Sequence, residues 1–231
     1  RDNGCGMNTD ALALAIERHA TSKLPDDDLL AIHFLGFRGE ALPSIGSVSR
    51  LSITSRTKND ASAHTIRVEA GAVSDVVPAA LTTGTLVEVR DLFYAIPARL
   101  KFLKTPRTEL AAATDIIERL AMAHPDIHFR LSHDGRSLRD FPALTGEWLA
   151  AAPQRLEKIL GSGFAANTVV VDAARESLHL TGFAGLPTFS RGNAQAQYLF
   201  VNRRPVRDRL LLGVIRAAYQ DVLARDRYPV A

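Results

Sequence analysis

The sequence holds a single cysteine in 231 residues, so no disulfide can close within the chain, which suits a reducing compartment. It has no run of about eighteen apolar residues, the length a membrane-spanning helix needs. Its N-terminus lacks the basic, apolar and small-residue succession of a signal peptide. Charge of one sign is scarce as well: 28 Lys and Arg against 25 Asp and Glu leave a net charge of +3, too small an excess to indicate nucleic-acid binding unless it is concentrated somewhere. An initiator methionine is missing too. Arg1-Asp2 opens where a strand should be ending, and Tyr228-Pro229-Val230-Ala231 follows closely on a helix, so an internal fragment of a longer protein is expected. What is present, 46% hydrophobic and 23% charged residues, is the composition of a soluble globular protein. The length suffices for a full core or for two modest domains.

Two glycine-bearing turns stand out. In Gly36-Phe37-Arg38-Gly39-Glu40-Ala41-Leu42, glycines bracket two residues and helix formers follow, which predicts a loop opening directly into a helix. The first N–H groups of such a helix are unpaired and converge, and with the positive end of the dipole behind them they make a seat for phosphate. An ordinary turn before an ordinary helix fits the same residues. In Asp2-Asn3-Gly4-Cys5-Gly6 a carboxylate sits on a chain that folds back sharply at glycines tolerating positive φ. An acceptor fixed beside a glycine-lined cleft suits the amino group of a purine, although an Asx turn closing a strand has the same signature. The two turns are expected to form opposite walls of one nucleotide pocket.

Between and after them the periodicity alternates. Asn8 or Thr9 can cap a helix burying Leu12, Ile16 and Ala20, which should end near Lys23 because Pro25 disfavours helical geometry before it. Leu51, Ile53 and Ser55, then Ile66 and Val68, then Val87 and Val89 read as strands. Strands flanked by helices predict an α+β layer with helices on one face of a mixed or antiparallel sheet. Glu109 to His124 suits a long amphipathic helix stopped by Pro125, and Asp134-Gly135 is a hairpin signal between Ile127-Phe129-Leu131 and Leu138. Pro142, Gly146 and the alanines before Pro153 interrupt the pattern, placing a domain boundary between Phe141 and Pro153. Beyond it Val169–Val171, Leu178–Phe183 and Tyr198–Val201 read as strands and Leu210–Leu223 as a helix.

Asp2-Asn3-Gly4-Cys5-Gly6, Arg18-His19-Ala20-Thr21-Ser22-Lys23, Gly36 to Leu42, Gly84-Thr85, and Asp91-Leu92-Phe93-Tyr94 with Pro97-Ala98-Arg99-Leu100-Lys101-Phe102-Leu103 together resemble the MutL family of DNA mismatch-repair proteins. The matches keep the family's order and continue to Phe200-Val201-Asn202-Arg203-Arg204. The wider ATPase group, with type II topoisomerases, histidine kinases and certain chaperones, shares the pocket but not the Pro-Ala-Arg-x-Lys-Phe-Leu run. The resemblance implies a GHKL-type ATPase sandwich of helices on a mixed sheet over residues 1–150, lacking its N-terminal helices, then a partial α/β transducer domain over 151–231. It also implies ATP and Mg2+ as cofactors. Asp2, Gly4, Gly6, Gly36, Phe37, Arg38, Gly39, Glu40 and Thr85 would then line the nucleotide, with Thr85 beside the adenine. Thr21, Ser22 and Lys23 would belong to a lid whose hydroxyls and ammonium meet the phosphates.

Arg203, Arg204, Arg207 and Arg209 form the densest basic cluster, at a strand end running into a helix. Such arginines can hold DNA phosphates without reading sequence, or can simply solvate a surface. Arg99, Lys101, Lys104 and Arg107 pose the same pair of alternatives. No aromatics interleave with the cluster as they would for stacking on single strands. Arg203 stands where the family has glycine in Asn-Gly-Arg, so an L-residue must occupy a turn position suited to positive φ.

The resemblance implies hydrolysis by a water that a glutamate activates, with Mg2+ held by an asparagine, both on a helix upstream of Arg1. No catalytic residue is therefore expected in this chain, and its own ATP turnover should be negligible. The intact protein would dimerise with nucleotide, bind mismatched duplex or single-stranded DNA, meet a MutS-like recognition protein, and work in the bacterial cytoplasm near the nucleoid without a membrane. Another GHKL ATPase, or a DNA-binding scaffold with a vestigial pocket, remains the alternative.

Overall fold

The computed structural model describes residues 1–21, 36 and 38–231, and these fall into two compact units, Arg1–Lys104 and Thr105–Ala231. In the first unit the order is α1 (Thr9–Leu14), α2 (Ala41–Gly46), β1 (Arg50–Arg56), β2 (Ala63–Glu69), β3 (Ala72–Val73), β4 (Val77–Ala79), β5 (Gly84–Arg90) and α3 (Pro97–Leu100). Asn8 caps α1, its side chain accepting from Ala11 N–H at 2.9 Å. The helix stops at Leu14, well before Lys23 where the sequence pattern ended it. The chain turns at His19, which takes φ 65°, so the apolar spacing of Leu12 and Ile16 continues through turns rather than through helix.

The sheet runs β3-β2-β1-β5 with β4 on β2, and every pairing is antiparallel. Alternation decides its faces. Leu51 and Ile53 of β1 oppose Val68 and Ile66 of β2, and these four close over Leu12 in one core, with Met7, Ile16, Leu42 and Ile45 packed against it. Gly46 lets α2 lie directly on the sheet, since a methyl group there would come within 2.8 Å of Val68 Cγ1. The inward row of β1 ends on a hydroxyl, Ser55, which is 0% exposed.

The second unit holds α4 (Pro106–Ala123), β6 (Phe129–His133), β7 (Arg136–Phe141), α5 (Trp148–Leu160), β8 (Thr168–Arg175), β9 (Leu178–Gly185), β10 (Ser190–Arg191), β11 (Leu199–Val201), β12 (Arg204–Val206), α6 (Arg209–Ala218) and β13 (Tyr228–Pro229). Its strands pair as antiparallel couples, β6 with β7, β8 with β9, β10 with β13 and β11 with β12. Asp134 and Gly135 make the β6–β7 turn at φ 48° and 75°, the left-handed pair that this dipeptide favours. Met122, Ala152, Leu156, Phe164 and Val230 form the core. Phe183 packs onto the rings of Trp148 and Phe164 at 5.7 and 5.9 Å. Among the described residues no helix is long and apolar enough to cross a membrane.

The compact units part at Lys104/Thr105, and within the second unit one side chain bridges the Phe141–Pro153 stretch. Arg155 of α5 is 2% exposed, and its guanidinium donates to the carbonyls of Ala121, His124, Ile127, Phe141 and Pro142. It thereby ties the end of α4, the following turn and the end of β7 to α5. Pro153, which looked like a break, lies inside α5. A proline there removes one helical N–H, and the buried face of Ala152, Arg155 and Leu156 carries the helix through it.

Replacing Arg155 with Met should destabilise the second unit by about 3–5 kcal/mol, because buried carbonyls lose charged donors. Arg155→Lys should recover only part of this, an ammonium being too compact to span the same carbonyls. Urea unfolding of the three proteins measures both, and equal midpoints would refute the latch. The β11–β12 turn gives the opposite sign. Asn202 and Arg203 sit there at φ 48° and 62°, so Arg203→Gly should remove about 1–2 kcal/mol of left-handed strain against about 0.5–1 kcal/mol of added chain entropy. A small rise in the unfolding midpoint is expected, and a fall would show that the ion pair of Arg203 with Asp126 at 3.5 Å outweighs the strain.

Candidate nucleotide site

Asp2 is joined to the start of β5 by a reciprocal pair of bonds. Its N–H donates to the Thr85 carbonyl at 2.8 Å, and the Thr85 N–H donates to Asp2 Oδ1 at 3.2 Å. Gly4 N–H donates to the same Oδ1 at 2.9 Å, so the Asx turn does form, and it anchors one carboxylate oxygen through two amides. Oδ2 takes no hydrogen bond among the described residues, and Asp2 is exposed. The result is a carboxylate locked by one oxygen and presenting the other, the arrangement an exocyclic amino group requires.

Glycines make this approach possible. Gly84, at φ 120°, touches the Asp2 backbone so closely that a methyl group would lie 2.2 Å from the Asp2 carbonyl oxygen. Gly6, at φ 72°, is equally tight against β1, with the Arg56 carbonyl oxygen 2.0 Å from where its Cβ would be. Met7 N–H then donates to Ser55 Oγ at 2.8 Å, and Ser55 Oγ lies 3.0 Å from Thr85 Oγ1. Asp2, Gly4, Gly6 and Thr85 are thus brought together by β1 and β5. Ser55 was visible in the sequence only as a strand residue. Its signal is a hydroxyl in the inward row Leu51, Ile53, Ser55, where burial demands partners.

A second group forms around Gly39, also in the first unit. His19 N–H donates to the Gly39 carbonyl at 3.1 Å, and Gly39, at φ 60°, leaves no room for a Cβ beside the Ala20 carbonyl oxygen. His19 Nδ1 sits 3.6 Å from Glu40 Oε1. The loop therefore opens into α2 as expected, and it is clasped to the segment that carries Thr21. Gly36, Thr21 and Arg38 are exposed, while Ser22, Lys23 and Phe37 lie outside the described residues. The seat is narrower than expected. The helix α2 has six residues and contains Pro43, so its first turn offers the N–H groups of Ala41 and Leu42 but none from Pro43.

Strain also gathers at Asp91-Leu92-Phe93-Tyr94. Asp91 and Phe93 take φ 51° and 68°, uncommon for non-glycine residues. Arg50 pairs with Asp91 at 2.9 Å and lies 4.7 Å from the Tyr94 ring centre, and Phe93 N–H donates to the Val48 carbonyl at 2.7 Å.

In the second unit the arginine cluster is partly neutralised. Arg207 pairs with Asp115 at 2.8 Å and Arg203 with Asp126 at 3.5 Å, their side chains 73% and 63% exposed. Arg204 is half-buried in β12 and Arg209 begins α6 in the open. Burial and then Arg203 push the His124 imidazole below its ordinary range, against Asp126. Among the described residues no group of three or more His, Cys, Asp or Glu side chains could hold a metal ion.

Comparison with known proteins places these features in context. Residues 156–231 match the family described as DNA mismatch repair protein, C-terminal domain. The chain is 61% identical to the DNA mismatch repair protein MutL of Paramagnetospirillum magneticum over 99% of its own length and 38% of the relative's. It is 56% identical to MutL of Rhodospirillum rubrum over 99% of its length and 36% of that protein's. It therefore spans little more than a third of these relatives. Among solved structures, the Aquifex aeolicus MutL ATPase domain complexed with ADP superposes with a TM-score of 0.68 at 28% identity, covering 94% of this chain and 73% of that one.

Gly84→Ala should break the Asp2–Thr85 clasp, with a stability loss above about 2 kcal/mol from the backbone collision and the positive φ together. Gly71→Ala is the control, because Gly71 also has positive φ, 89°, but nothing within 4 Å of its Cβ position, so only about 1 kcal/mol of strain applies. Equal thermal shifts for the two variants would mean that the Gly84 contact contributes nothing.

Proposed function

The chain belongs to the MutL family of DNA mismatch-repair proteins, and on that premise we propose that it carries the base-recognition and phosphate-facing parts of an ATP site that switches the whole protein between conformations. The observation that carries this reading is the Asp2 carboxylate, held through Oδ1 by Gly4 and Thr85 N–H groups with Oδ2 left outward. In this reading Oδ2 accepts from the adenine amino group. Gly6 and Gly84 let the chain close against the Arg56 and Asp2 backbones, where a Cβ would collide, and with Gly4 they bring backbone close enough to flank the base.

The Gly36–Glu40 loop and the start of α2 face the phosphates, with Arg38 supplying positive charge and Gly39 the close approach. Glu40, 3.6 Å from His19, ties that loop to the segment that carries Thr21, and Thr21, Ser22 and Lys23 act in this reading as lid residues, the last two lying outside the described residues. Bound ATP supplies the phosphoryl group that water attacks. The residues proposed here contribute positioning and electrostatics, with no general base among them, so this chain alone turns over ATP negligibly. Among the described residues no three His, Cys, Asp or Glu side chains gather to hold a metal ion, and Mg2+ at a nucleotide site takes most of its ligands from phosphates and water.

Residues 1–150 act in this scheme as the ATPase domain and 151–231 as part of the transducer domain. Arg203, Arg204, Arg207 and Arg209 hold DNA phosphates independently of sequence. Asp115 and Asp126, now paired with Arg207 and Arg203, would have to release those guanidinium groups to phosphate. Nucleotide binding drives homodimerisation of the intact cytoplasmic protein and couples recognition by a MutS-like partner to later repair steps.

The test is ATP turnover by the full-length protein beside the same protein with Asp2→Asn. An amide in place of the carboxylate turns a donor toward the adenine amino group, and hydrolysis should fall at least about a hundredfold through lost binding, the size of a charged hydrogen bond replaced by a clash. If neither protein hydrolyses ATP while both bind duplex DNA with steep salt dependence, the chain serves a DNA-binding scaffold instead.

A further inference from the structure

We propose that Ser55 is a specificity-determining positioning residue, which fixes the direction of the Thr85 hydroxyl proton and so makes the base-facing edge of the site accept hydrogen bonds only. The proposal rests on the nucleotide reading of the Asp2–Thr85 clasp and adds to it the reason for choosing one purine.

Ser55 is 0% exposed, and its Oγ has three neighbours. Met7 N–H donates to it at 2.8 Å, the Gly84 carbonyl oxygen lies at 3.1 Å, and Thr85 Oγ1 lies at 3.0 Å. A serine hydroxyl has one proton and two lone pairs. The amide of Met7 can only donate and the carbonyl of Gly84 can only accept, so one lone pair and the proton are assigned. What remains on Ser55 is a lone pair, and it faces Thr85. The Thr85 proton therefore points inward to Ser55, and every valence of Ser55 is satisfied. In the reverse arrangement Ser55 donates to Thr85, the buried Gly84 carbonyl loses that donor, and one Ser55 lone pair is empty, a cost buried polar groups avoid.

With its proton committed inward, Thr85 Oγ1 has only lone pairs to offer a ligand. Asp2, whose Oδ1 accepts from the Thr85 N–H at 3.2 Å, offers its Oδ2 as an acceptor as well. Two acceptors on residues clasped in this way welcome the exocyclic amino group of adenine, which brings two N–H donors. Guanine places a carbonyl oxygen at the same ring position, and acceptor would then meet acceptor. Without Ser55 the Thr85 hydroxyl is free to rotate and donate outward, and the rejection of guanine weakens.

Calorimetric titration of ATP and of GTP into the full-length protein tests this. The unmodified protein should prefer ATP, and Ser55→Ala should lower that preference about tenfold, the worth of one redirected hydrogen bond. Ser55→Cys, close in size but a weak donor and acceptor, should behave alike and keeps the test usable if the alanine variant does not fold. Thr85→Val should lower the preference by itself, and adding Ser55→Ala to it should change the ratio no further, since Ser55 acts through Thr85. A merely structural serine would weaken ATP and GTP by one common factor. An unchanged ATP-to-GTP ratio in folded Ser55 variants therefore overturns the proposal even where Asp2→Asn abolishes binding. Failure of the unmodified protein to bind either nucleotide, or indifference to Asp2→Asn, overturns the nucleotide site and this proposal with it.

Discussion

The interaction on which the first unit depends is the reciprocal pair between Asp2 and Thr85. It is made possible by an absence of side chain at Gly84 and by a buried hydroxyl at Ser55, and it fixes where a carboxylate stands at the sheet edge. The apolar part of β1 and β2 would hold a sheet together with almost any residues at its rim. The rim is specified by polar bonds, which are directional, and a carboxylate oxygen that accepts two amides has little freedom left. The apolar rows give stability and the polar rim gives geometry.

The second unit is organised by a different constraint, a buried cation whose hydrogen bonds go to backbone. Among the described residues the Arg155 guanidinium donates to five carbonyls, so its charge is spread over the ends of α4 and β7, with Asp126 acting on it electrostatically. Burial lowers its pKa from the ordinary guanidinium value, yet a guanidinium stays protonated in proteins. Because those carbonyls precede or open the Phe141–Pro153 stretch while Arg155 itself follows it, the stretch is drawn into the unit, even though the matched family segment begins at residue 156. Compactness and family boundaries follow different features of the same chain.

Much of the fold was legible because it rests on local periodicity. The alternation of Leu51, Ile53 and Ser55, the Asp134-Gly135 turn and the long helix before Pro125 each depend on neighbours in sequence, and β1, the β6–β7 hairpin and α4 stand where they were read. Other readings failed where a distant partner decides. The apolar pattern carries the first helix to Lys23, but His19 turns left-handed where its N–H meets Gly39. Pro153 read as a break, and the burial of Arg155 and Leu156 on the same helix face keeps α5 intact across it. The Asp2 turn and the Gly84-Thr85 pair were each recognisable as motifs, while the hydrogen bonds that join them across 83 positions have no local signature.

The sequence by itself determined the family, the two glycine turns and the inward rows of the strands, because composition, motif order and period are properties of neighbours along the chain. It also determined that Arg203 must occupy a glycine-like turn position, and the residue does so at φ 62°. Only the tertiary structure decided that Asp2 is held by Thr85, that Ser55 joins Met7 to Gly84 and Thr85, and that Arg155 closes the second unit. Each of these is a bond between residues far apart in sequence, and its existence depends on the strands and helices first being stacked so that donor and acceptor arrive within 3 Å or so of each other.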